Sequence, residues 1–272
     1  MEILDGKKIR EELLNELTER KNDNLSLAVI QIGHDEASSI YIGQKEKMCQ
    51  NLNIEFKHYN LEDNVTNDEV INLINKLNND DTTGILLQLP IPKHLDEQRI
   101  LNTIDYRKDV DGLTNANVAN LALDEPGLVP CTPKGVMTLL NRYNINLEGK
   151  NAVIVGRSNL VGKPLFNLML NKNATVTLCH SKTKNLKEHT LKADILVAAV
   201  GKPKFITKEF VKEGAVVIDV GISRVDGKVV GDVDFENVKD LTSYITPVPG
   251  GVGPMTIASL AENIFEANKL QK

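Results

Sequence analysis

The sequence predicts an α/β fold of two domains built on mostly parallel sheets. Short apolar runs alternate with helix-length segments along almost the whole chain of 272 residues. Residues 151–181 show the pattern most completely, as a strand, a glycine turn, a helix and a second strand. Because alternating strands and helices form parallel sheets covered on both faces, we expect an N-terminal α/β domain that binds substrate, a Rossmann-like domain, and a cleft between them.

The elements of the first half follow from apolar periodicity and from capping residues. In order they are a helix at Gly6–Thr18, a strand at 25–32, a helix at 38–52 and strands at 54–59 and 84–88. Thr66 and Glu69 have the spacing of a capping box and predict a helix between the last two strands. Thr132 and Pro133 are expected as the N-cap and first position of a helix that runs towards Tyr143.

The second half begins with the apolar run 152–155, which ends at Gly156. A glycine there lets the chain approach a pyrophosphate closely, and the helix expected at 164–170 offers its free N–H groups to the anion. Ser158 replaces the second glycine of the usual fingerprint, and the distance from Gly156 to Gly162 is one residue too long. An ordinary strand, turn and helix therefore stays open as the alternative. Further strands are predicted at 175–178, 195–200 and 215–220, with a final helix at 256–269.

These elements give the expected domain boundaries. Residues 1–139 together with 255–272 form the predicted substrate domain, and residues 140–254 form the predicted Rossmann-type domain. No internal repeat interrupts this arrangement.

The end of the second strand of the Rossmann unit indicates which dinucleotide binds. NAD sites place an acidic residue there for the ribose 2′-hydroxyl, whereas residues 179–183 contain no carboxylate. Arg157 and Ser181 can instead donate to a 2′-phosphate. NADP is therefore the expected cofactor. For Lys182 and Lys184 the alternative is a solvated polar loop.

Composition narrows the class of protein. The formal net charge of −5, with acidic and basic residues interspersed, predicts no nucleic-acid partner. No apolar run reaches the length of a membrane helix, so no membrane association is expected. The cysteines, Cys49, Cys131 and Cys179, are odd in number and have no zinc-site spacing, which predicts reduced thiols, a cytoplasmic protein and no metal site.

Polar residues of the first half cluster where a ligand is expected. Ser38, Tyr41 and Lys45 follow one another at helical spacing and share a face. Gln88 ends an apolar strand, at the edge of a parallel sheet where ligands usually bind, and its amide can hold a lysine ammonium. The alternative for Lys45 is an exposed lysine with a tyrosine resting against its stem.

Two further segments are candidates for the same site. Asp109 and Asp111 lie in a turn whose carboxylates can bind a donor-rich ligand, although Asp111 followed by Gly112 is also a common turn pair. The loop 247–256 has three glycines that permit close approach to a flat ligand and prolines that limit its flexibility. A domain hinge is the alternative for that loop.

Six motifs, in this order along the chain, resemble the bifunctional methylenetetrahydrofolate dehydrogenase/methenyltetrahydrofolate cyclohydrolase family. The resemblance spans essentially the whole chain. The motifs are Ser38-x-x-Tyr41-x-x-x-Lys45, Leu87-Gln88-Leu89-Pro90, Lys108-Asp109-Val110-Asp111-Gly112, Pro130-Cys131-Thr132-Pro133, Gly156-Arg157-Ser158 through Gly162-Lys163-Pro164, and Pro247 to Thr256.

The resemblance implies a role for each matched position. Lys45 would reach the one-carbon unit and act as general acid and base, Gln88 would tune it, and Tyr41 and Asp111 would hold the pterin. The implied substrate-binding residues are Ser38, Tyr41, Lys45, Leu87, Gln88, Leu89, Asp111, Pro249, Gly250, Gly251 and Gly253. The implied NADP-binding residues are Gly156, Arg157, Ser158, Ser181 and Ile222.

The resemblance also implies the chemistry: oxidation of 5,10-methylenetetrahydrofolate and hydrolysis of the product to 10-formyltetrahydrofolate, which supplies purine biosynthesis. It implies a homodimer, for which an edge strand near Lys228 to Val230 is a candidate contact. The competing hypotheses are another NADP-linked dehydrogenase of shikimate or amino-acid type, a non-catalytic NADP-binding regulator, and a chain that has retained one activity only.

Overall fold

The computed structural model describes residues 1–20 and 24–272, with the side chains of all but residues 36 and 37. Its contacts divide the chain into two compact units. The first unit comprises Met1–Glu12 and Thr132–Thr256, and the second comprises Leu13–Cys131 and Ile257–Lys272. Both units are α/β, as the sequence predicts.

Strands and helices alternate along the chain. The strands are β1 (Glu2–Ile3), β2 (Ser26–Ile32), β3 (Glu55–Leu61), β4 (Gly84–Leu87), β5 (Asn151–Val155), β6 (Thr175–Cys179), β7 (Ile195–Ala198), β8 (Val216–Asp219), β9 (Ser223–Val225), β10 (Lys228–Val230) and β11 (Tyr244–Ile245). The helices are α1 (Gly6–Thr18), α2 (Glu36–Asn51), α3 (Asn67–Asn78), α4 (Glu97–Leu101), α5 (Asn115–Leu123), α6 (Cys131–Arg142), α7 (Gly162–Leu170), α8 (Leu186–Thr190), α9 (Phe235–Val238) and α10 (Val252–Leu270).

The first unit is built on a six-stranded parallel sheet in the order β1-β11-β8-β7-β5-β6. Val155 at the end of β5 pairs with Cys179 of β6 on one side and with Ala198 of β7 on the other. The chain therefore leaves β5 in one direction and returns on its other side, which is the topological switch point where open α/β sheets bind ligands.

The second unit is built on a three-stranded parallel sheet in the order β3-β2-β4. Every residue of the central strand β2 and of β4 is buried. On one face of the sheet, Leu27 and Val29 pack with the buried residues of α10. On the opposite face, Ile30 packs with the buried residues of α3. Burial on both faces explains why these strands are continuously apolar in the sequence.

Most predicted elements are present, with shifted ends. The capping box of α3 is confirmed, because Thr66 Oγ1 accepts from Glu69 N while the Glu69 carboxylate accepts from Thr66 N. The final helix begins at Val252 rather than at residue 256. Thr132 and Pro133 do not open α6, which already begins at Cys131.

Two expectations about sheet edges need correction. Lys228–Val230 is not an edge strand of the large sheet, because it pairs antiparallel with β9 in a separate two-stranded hairpin. Asp226 and Gly227, both at positive φ, form its tight turn. The edge strands of the large sheet are instead β1, which pairs with β11, and β6, which pairs with β5. The N-terminal residues therefore contact the nucleotide-type sheet, whereas the sequence placed them with the substrate domain.

The cysteines are buried, and the described residues form neither a metal-binding cluster nor a membrane-spanning helix. Cys49, Cys131 and Cys179 are all buried, and none of them is in a disulfide bond. No group of three or more His, Cys, Asp or Glu side chains in the described ranges is arranged to hold a metal ion. Among the helices that the structure describes, none combines the length and the apolar character needed to cross a bilayer.

Candidate active site

Helix α2 carries the candidate catalytic lysine, and its first turn is capped by a side chain. The Asp35 carboxylate at the N-cap accepts from both the backbone N and the hydroxyl of Ser38, each at 2.7 Å. Ser38 is thus buried and engaged with the cap, whereas Tyr41, one turn on, is 39% exposed. Lys45, a further turn along, is again buried.

The Lys45 ammonium contacts the side chain of Gln88, the residue that follows strand β4. Lys45 Nζ donates to Gln88 Oε1 at 2.8 Å. Gln88 is itself anchored, because its backbone N donates to Ile30 O and its Nε2 donates to Leu89 O, both at 2.8 Å. The amide therefore can present only its oxygen to the lysine, and it lies at the carboxyl edge of the sheet as the sequence predicts.

Burial dominates the electrostatics around Lys45. The apolar surroundings lower the pKa of the lysine, and the negative charge of Asp111 opposes that shift. The nearby Cys49 thiol is also buried, and burial raises its pKa to about 12. At neutral pH the thiol is protonated, so it provides no anion that would hold the lysine charged.

The two carboxylates of the predicted ligand-binding turn have different surroundings. Asp109 is buried and accepts from Thr114 N at 2.7 Å and from Asn117 Nδ2 at 3.0 Å, so it organises the turn itself. Asp111 is half-buried, and its carboxylate makes no hydrogen bond within the described part of the chain. Of the two, Asp111 is the one free to meet a ligand. Asn263 of α10 fixes the residue between them by donating to Val110 O at 2.8 Å.

Lys108 precedes these carboxylates and has a structural role that the sequence did not indicate. Its buried Nζ donates to Leu77 O at 3.0 Å and to Asp80 O at 2.7 Å. Leu77 O lies in the last turn of α3, where backbone acceptors have no intrahelical partner, and Asp80 O lies just beyond the C-cap Asn79. The lysine of this motif therefore caps a helix, and only its neighbour Asp111 remains available.

The glycine loop 249–253 belongs to the first unit, where it packs on the start of α1. Gly250 O accepts from Lys7 N at 3.2 Å. A Cβ on Gly6 would come within 1.8 Å of Gly251 O, so the two segments touch through backbone alone. Pro249 is exposed and Gly253 is half-buried. The middle of the loop is thus fixed against α1, whereas Pro249 and Gly253 on either side of it keep exposed surface.

The turn after β5 has the geometry of a dinucleotide-binding loop. Gly156 has a φ of +133°, and a Cβ there would lie 2.1 Å from Ala199 O. A Cβ on Gly162 would lie 2.0 Å from Gly156 O, so the start of α7 packs directly on the turn. No side chain caps the amino terminus of α7. Among its first three residues, Lys163 N donates to Ser158 O at 3.1 Å and Pro164 has no N–H, so the backbone N–H of Gly162 remains for an anion such as a pyrophosphate.

The predicted phosphate partners lie just beyond the carboxyl ends of β5 and β6. Arg157 and Ser181 each stand two residues beyond the register pair Val155 and Cys179, and both are exposed. Ser158 is exposed as well, and its hydroxyl accepts from Val161 N at 3.1 Å. The guanidinium and the Ser181 hydroxyl are therefore on neighbouring loops that face solvent.

Ile222 follows β8 and is 49% exposed. Its Cδ1 lies 3.6 Å from the position that a Cβ of Gly253 would occupy. The predicted cofactor residue and the predicted folate loop are thus neighbours within the first unit. The sequence missed Asp219 and Asp232, two buried carboxylates in the same region. An acidic residue that ends the apolar run 215–218 was the available signal.

The candidate residues fall into two sets, one in each unit. Those in the second unit are Ser38, Tyr41, Lys45, Leu87, Gln88, Leu89 and Asp111. Those in the first unit are Gly156, Arg157, Ser158, Ser181, Ile222, Pro249, Gly250, Gly251 and Gly253.

Family models match both parts of the chain. The catalytic domain of tetrahydrofolate dehydrogenase/cyclohydrolase matches residues 4–111, and the NAD(P)-binding domain of the same family matches residues 130–272. The chain belongs to the tetrahydrofolate dehydrogenase/cyclohydrolase family. The family name describes an enzyme with two activities, and it bears out the resemblance seen in the six motifs.

Individual relatives of this family align over nearly the full length. The bifunctional protein FolD of Clostridium novyi is 52% identical, over 98% of this chain and 99% of its own. The crystal structure of the FolD dehydrogenase/cyclohydrolase of Campylobacter jejuni is 48% identical with a TM-score of 0.97, over 99% of both chains. The FolD enzyme of Trypanosoma brucei, solved with NADP and an inhibitor, is 34% identical with a TM-score of 0.93, over 99% of this chain and 97% of its own.

Shikimate dehydrogenases share the fold of this family and little more. The enzyme of Aquifex aeolicus aligns with a TM-score of 0.56 at 11% identity, over 93% of this chain and 99% of its own. Among the competing hypotheses, the shikimate-type dehydrogenase is therefore supported by the architecture alone, and the family match decides against it.

Proposed function

We propose that the protein oxidises 5,10-methylenetetrahydrofolate to 5,10-methenyltetrahydrofolate with NADP⁺ and hydrolyses that product to 10-formyltetrahydrofolate. The observation that carries the proposal is the hydrogen bond from buried Lys45 to Gln88 at the carboxyl edge of a parallel sheet. The family match supports the pairing of the two activities.

The first unit supplies the dinucleotide site in this proposal. Gly156 and the uncapped start of α7 would hold the pyrophosphate. Arg157, Ser158 and Ser181 would bind the phosphates, with Arg157 and Ser181 reaching the 2′-phosphate, and Ile222 would lie beside the nicotinamide ribose. When bound, NADP⁺ accepts the hydride of the methylene carbon, and the protein's task is to align it with the folate.

NADP is proposed over NAD on two grounds. The chain after β6 offers His180 and Ser181 where NAD sites carry an acid, and Arg157 on the neighbouring loop is exposed. The Trypanosoma brucei relative was solved with NADP. A guanidinium with a free fork fits a 2′-phosphate, whereas it gains no ionic partner from a 2′-hydroxyl.

The second unit supplies the folate site and the proton chemistry. Tyr41 would stack on the substrate, Asp111 would accept hydrogen bonds from donors of the pterin, and Ser38, Leu87 and Leu89 would line the site. Asp111 supports this role because its carboxylate is not consumed by the turn that holds it. Pro249, Gly250, Gly251 and Gly253 are proposed as further folate-binding residues.

Lys45 would move the protons of the hydrolysis. Water adds to the cationic methenyl carbon, a C–O bond forms, and the neutral lysine amine accepts the released proton. The bond from that carbon to N5 then breaks with its electron pair on N5, the protonated lysine donates its proton to N5, and the neutral amine that results accepts the hydroxyl proton as the carbonyl forms. One proton is released overall. Burial supports this role because it lowers the pKa of Lys45, and Gln88 would keep the amine directed at the carbon.

The remaining features of the proposal concern assembly and cellular setting. We propose a homodimer, with the unpaired edge of β3 as the contact, since that strand pairs on one side only. Buried free thiols support a cytoplasmic location. The product would supply one-carbon units to purine biosynthesis.

A single assay tests the proposed function. The purified protein is mixed with 5,10-methylenetetrahydrofolate and NADP⁺ while the absorbance of NADPH and of the methenyl compound is followed. We expect NADPH to accumulate and the methenyl signal to rise and decay. No NADPH would contradict the dehydrogenase, and a methenyl signal that decays only at its rate without enzyme would contradict the cyclohydrolase.

A further inference from the structure

Two buried carboxylates lie at the carboxyl end of the six-stranded sheet. Asp219 is the last residue of β8, and Asp232 precedes α9. Their relative exposures are 3% and 0%. Neither belongs to the set of residues that the family motifs point to, and buried carboxylates are costly unless their oxygens are well satisfied.

Asp232 fixes the turn that follows β7. Its carboxylate accepts from three successive backbone N–H groups, those of Val200 at 2.6 Å, Gly201 at 3.0 Å and Lys202 at 2.7 Å. Three donors directed at one carboxylate leave that turn little freedom to change conformation.

Asp219 in turn fixes Asp232 and the segment after β8. It accepts from Asp232 N at 2.9 Å, Val233 N at 2.8 Å and Gly221 N at 3.0 Å. Its own backbone N donates to the buried hydroxyl of Thr246 at 2.7 Å. The two carboxylates therefore form one hydrogen-bonded network that connects the turn after β7 with the segment after β8.

Glycines make room for both carboxylates. A Cβ on Gly221 would lie 2.2 Å from Cγ of Asp232, and a Cβ on Gly231 would lie 1.9 Å from Oδ2 of Asp219. Any larger residue at either position would displace a carboxylate, so the close approach depends on these glycines.

The segments held by the pair border the place where the dinucleotide is expected. The turn after β7 lies across the switch point from the turn after β5, and Gly156 of that turn packs on Ala199 O. Ile222, which follows Gly221, is exposed beside them. The pair thus sets the position of the wall opposite the pyrophosphate loop.

We propose that Asp219 and Asp232 are positioning residues for the nicotinamide half of the dinucleotide, required for hydride transfer and not for hydrolysis of the methenyl compound. The proposal rests on the proposed function, because it takes NADP⁺ as the ligand of this edge of the sheet.

The test measures the two activities separately in Asp219→Asn and Asp232→Asn. An amide replaces one accepting oxygen by a donor, so at least one of the three backbone N–H groups loses its partner. We expect the KM for NADP⁺ to rise and the dehydrogenase kcat/KM to fall about 10²-fold, as for a displaced wall of a site. Hydrolysis of added methenyltetrahydrofolate, which needs no dinucleotide, should stay within about twofold of the wild type.

Asp194→Asn is the matched control. Asp194 also accepts a backbone N–H, from Asn151 at 2.9 Å, but it precedes β7 at the opposite end of the same sheet. We expect it to leave the KM for NADP⁺ unchanged. Gly221→Ala provides a second route to the same displacement, because its methyl group would press on Asp232 without removing a carboxylate.

Each outcome decides the proposal. A rise in KM for NADP⁺ with intact hydrolysis, in either Asn variant or in Gly221→Ala, supports it. The proposal is overturned if both activities fall equally at unchanged KM, or if neither activity changes. It is also overturned if all three variants fail to fold, because the pair would then serve stability alone. If the wild type itself forms no NADPH, the proposed function fails first, and the two failures are thereby distinguished.

Discussion

Lys45 and Lys108, both in the second unit, have different roles because their surroundings differ. Lys45 donates to a single amide oxygen, and the nearby charge of Asp111 favours its protonated form. Lys108 donates to two backbone carbonyls at the end of a helix. Both lie in motifs of the family, so the motifs alone could not separate the catalytic candidate from the structural one.

The lowered pKa of Lys45 predicts a pH dependence for the hydrolysis. The neutral amine is the proposed base, and burial lets it form at a lower pH than the ordinary lysine value of about 10.4. We expect the cyclohydrolase rate to rise with pH through that lowered pKa, after subtraction of the rate without enzyme. The dehydrogenase rate, measured across the same range, should change less. Identical profiles for the two activities would assign the titration to another group.

Arg157 carries the predicted preference for NADP⁺. Arg157→Ala removes a charge-assisted contact to the 2′-phosphate, worth roughly 1.5–3 kcal/mol. We expect the KM for NADP⁺ to rise about ten- to hundredfold, whereas NAD⁺, which lacks the phosphate, serves as the internal control. A similar change for both dinucleotides would show that Arg157 does not read the phosphate.

At the scale of elements, helix α3 depends on a lysine from a distant segment. Lys108→Met keeps the apolar stem but leaves Leu77 O and Asp80 O without their donor. We expect the free energy of unfolding to fall by about 1.5–3 kcal/mol, measured as a lower midpoint in urea.

Lys76→Met is the control for that change. Lys76 lies in the last turn of the same helix and is exposed, so its replacement should alter the free energy of unfolding by less than about 0.5 kcal/mol. Equal midpoints for the two variants would refute the capping role of Lys108.

The sequence was sufficient for elements whose apolar pattern is local. The runs that became β4 and β7 are buried on both faces, and continuous apolar residues predict that environment directly. It was insufficient for β1, because Glu2 and Ile3 form a strand only through pairing with residues more than two hundred positions away. The hairpin of β9 and β10 carries the turn pair Asp226 and Gly227, which is a local sequence signal for such a hairpin.

The site was predictable to a similar degree. Gln88 could be placed because it ends an apolar strand, and its contact with Lys45 follows from the helix that carries the lysine. Asp219 and Asp232 could not be paired from the sequence, because their connection runs through backbone N–H groups of turns that only the folded sheet brings together.

At the scale of the whole molecule, the assembly is the first testable feature. Light scattering at micromolar concentration should give about twice the chain mass of 30.1 kDa. Asn60→Glu, at an exposed position of the edge strand β3, should reduce the measured mass, because like charges would face one another in a symmetric contact. Glu236→Lys, on α9 of the first unit, is the control and should leave the mass unchanged. A fully active monomer would exclude the dimer as a requirement.

One chain is proposed to perform two reactions with different demands on Lys45, and Lys45→Met separates them when both activities are measured on the same protein. The thioether keeps the packing of the stem but removes the amine, and a proton relay typically contributes about 10²–10⁴-fold. We predict near-complete loss of hydrolysis, retention of part of the NADPH formation, and accumulation of the methenyl compound. Hydrolysis of methenyltetrahydrofolate at the wild-type rate would contradict the account and require another group to move the proton.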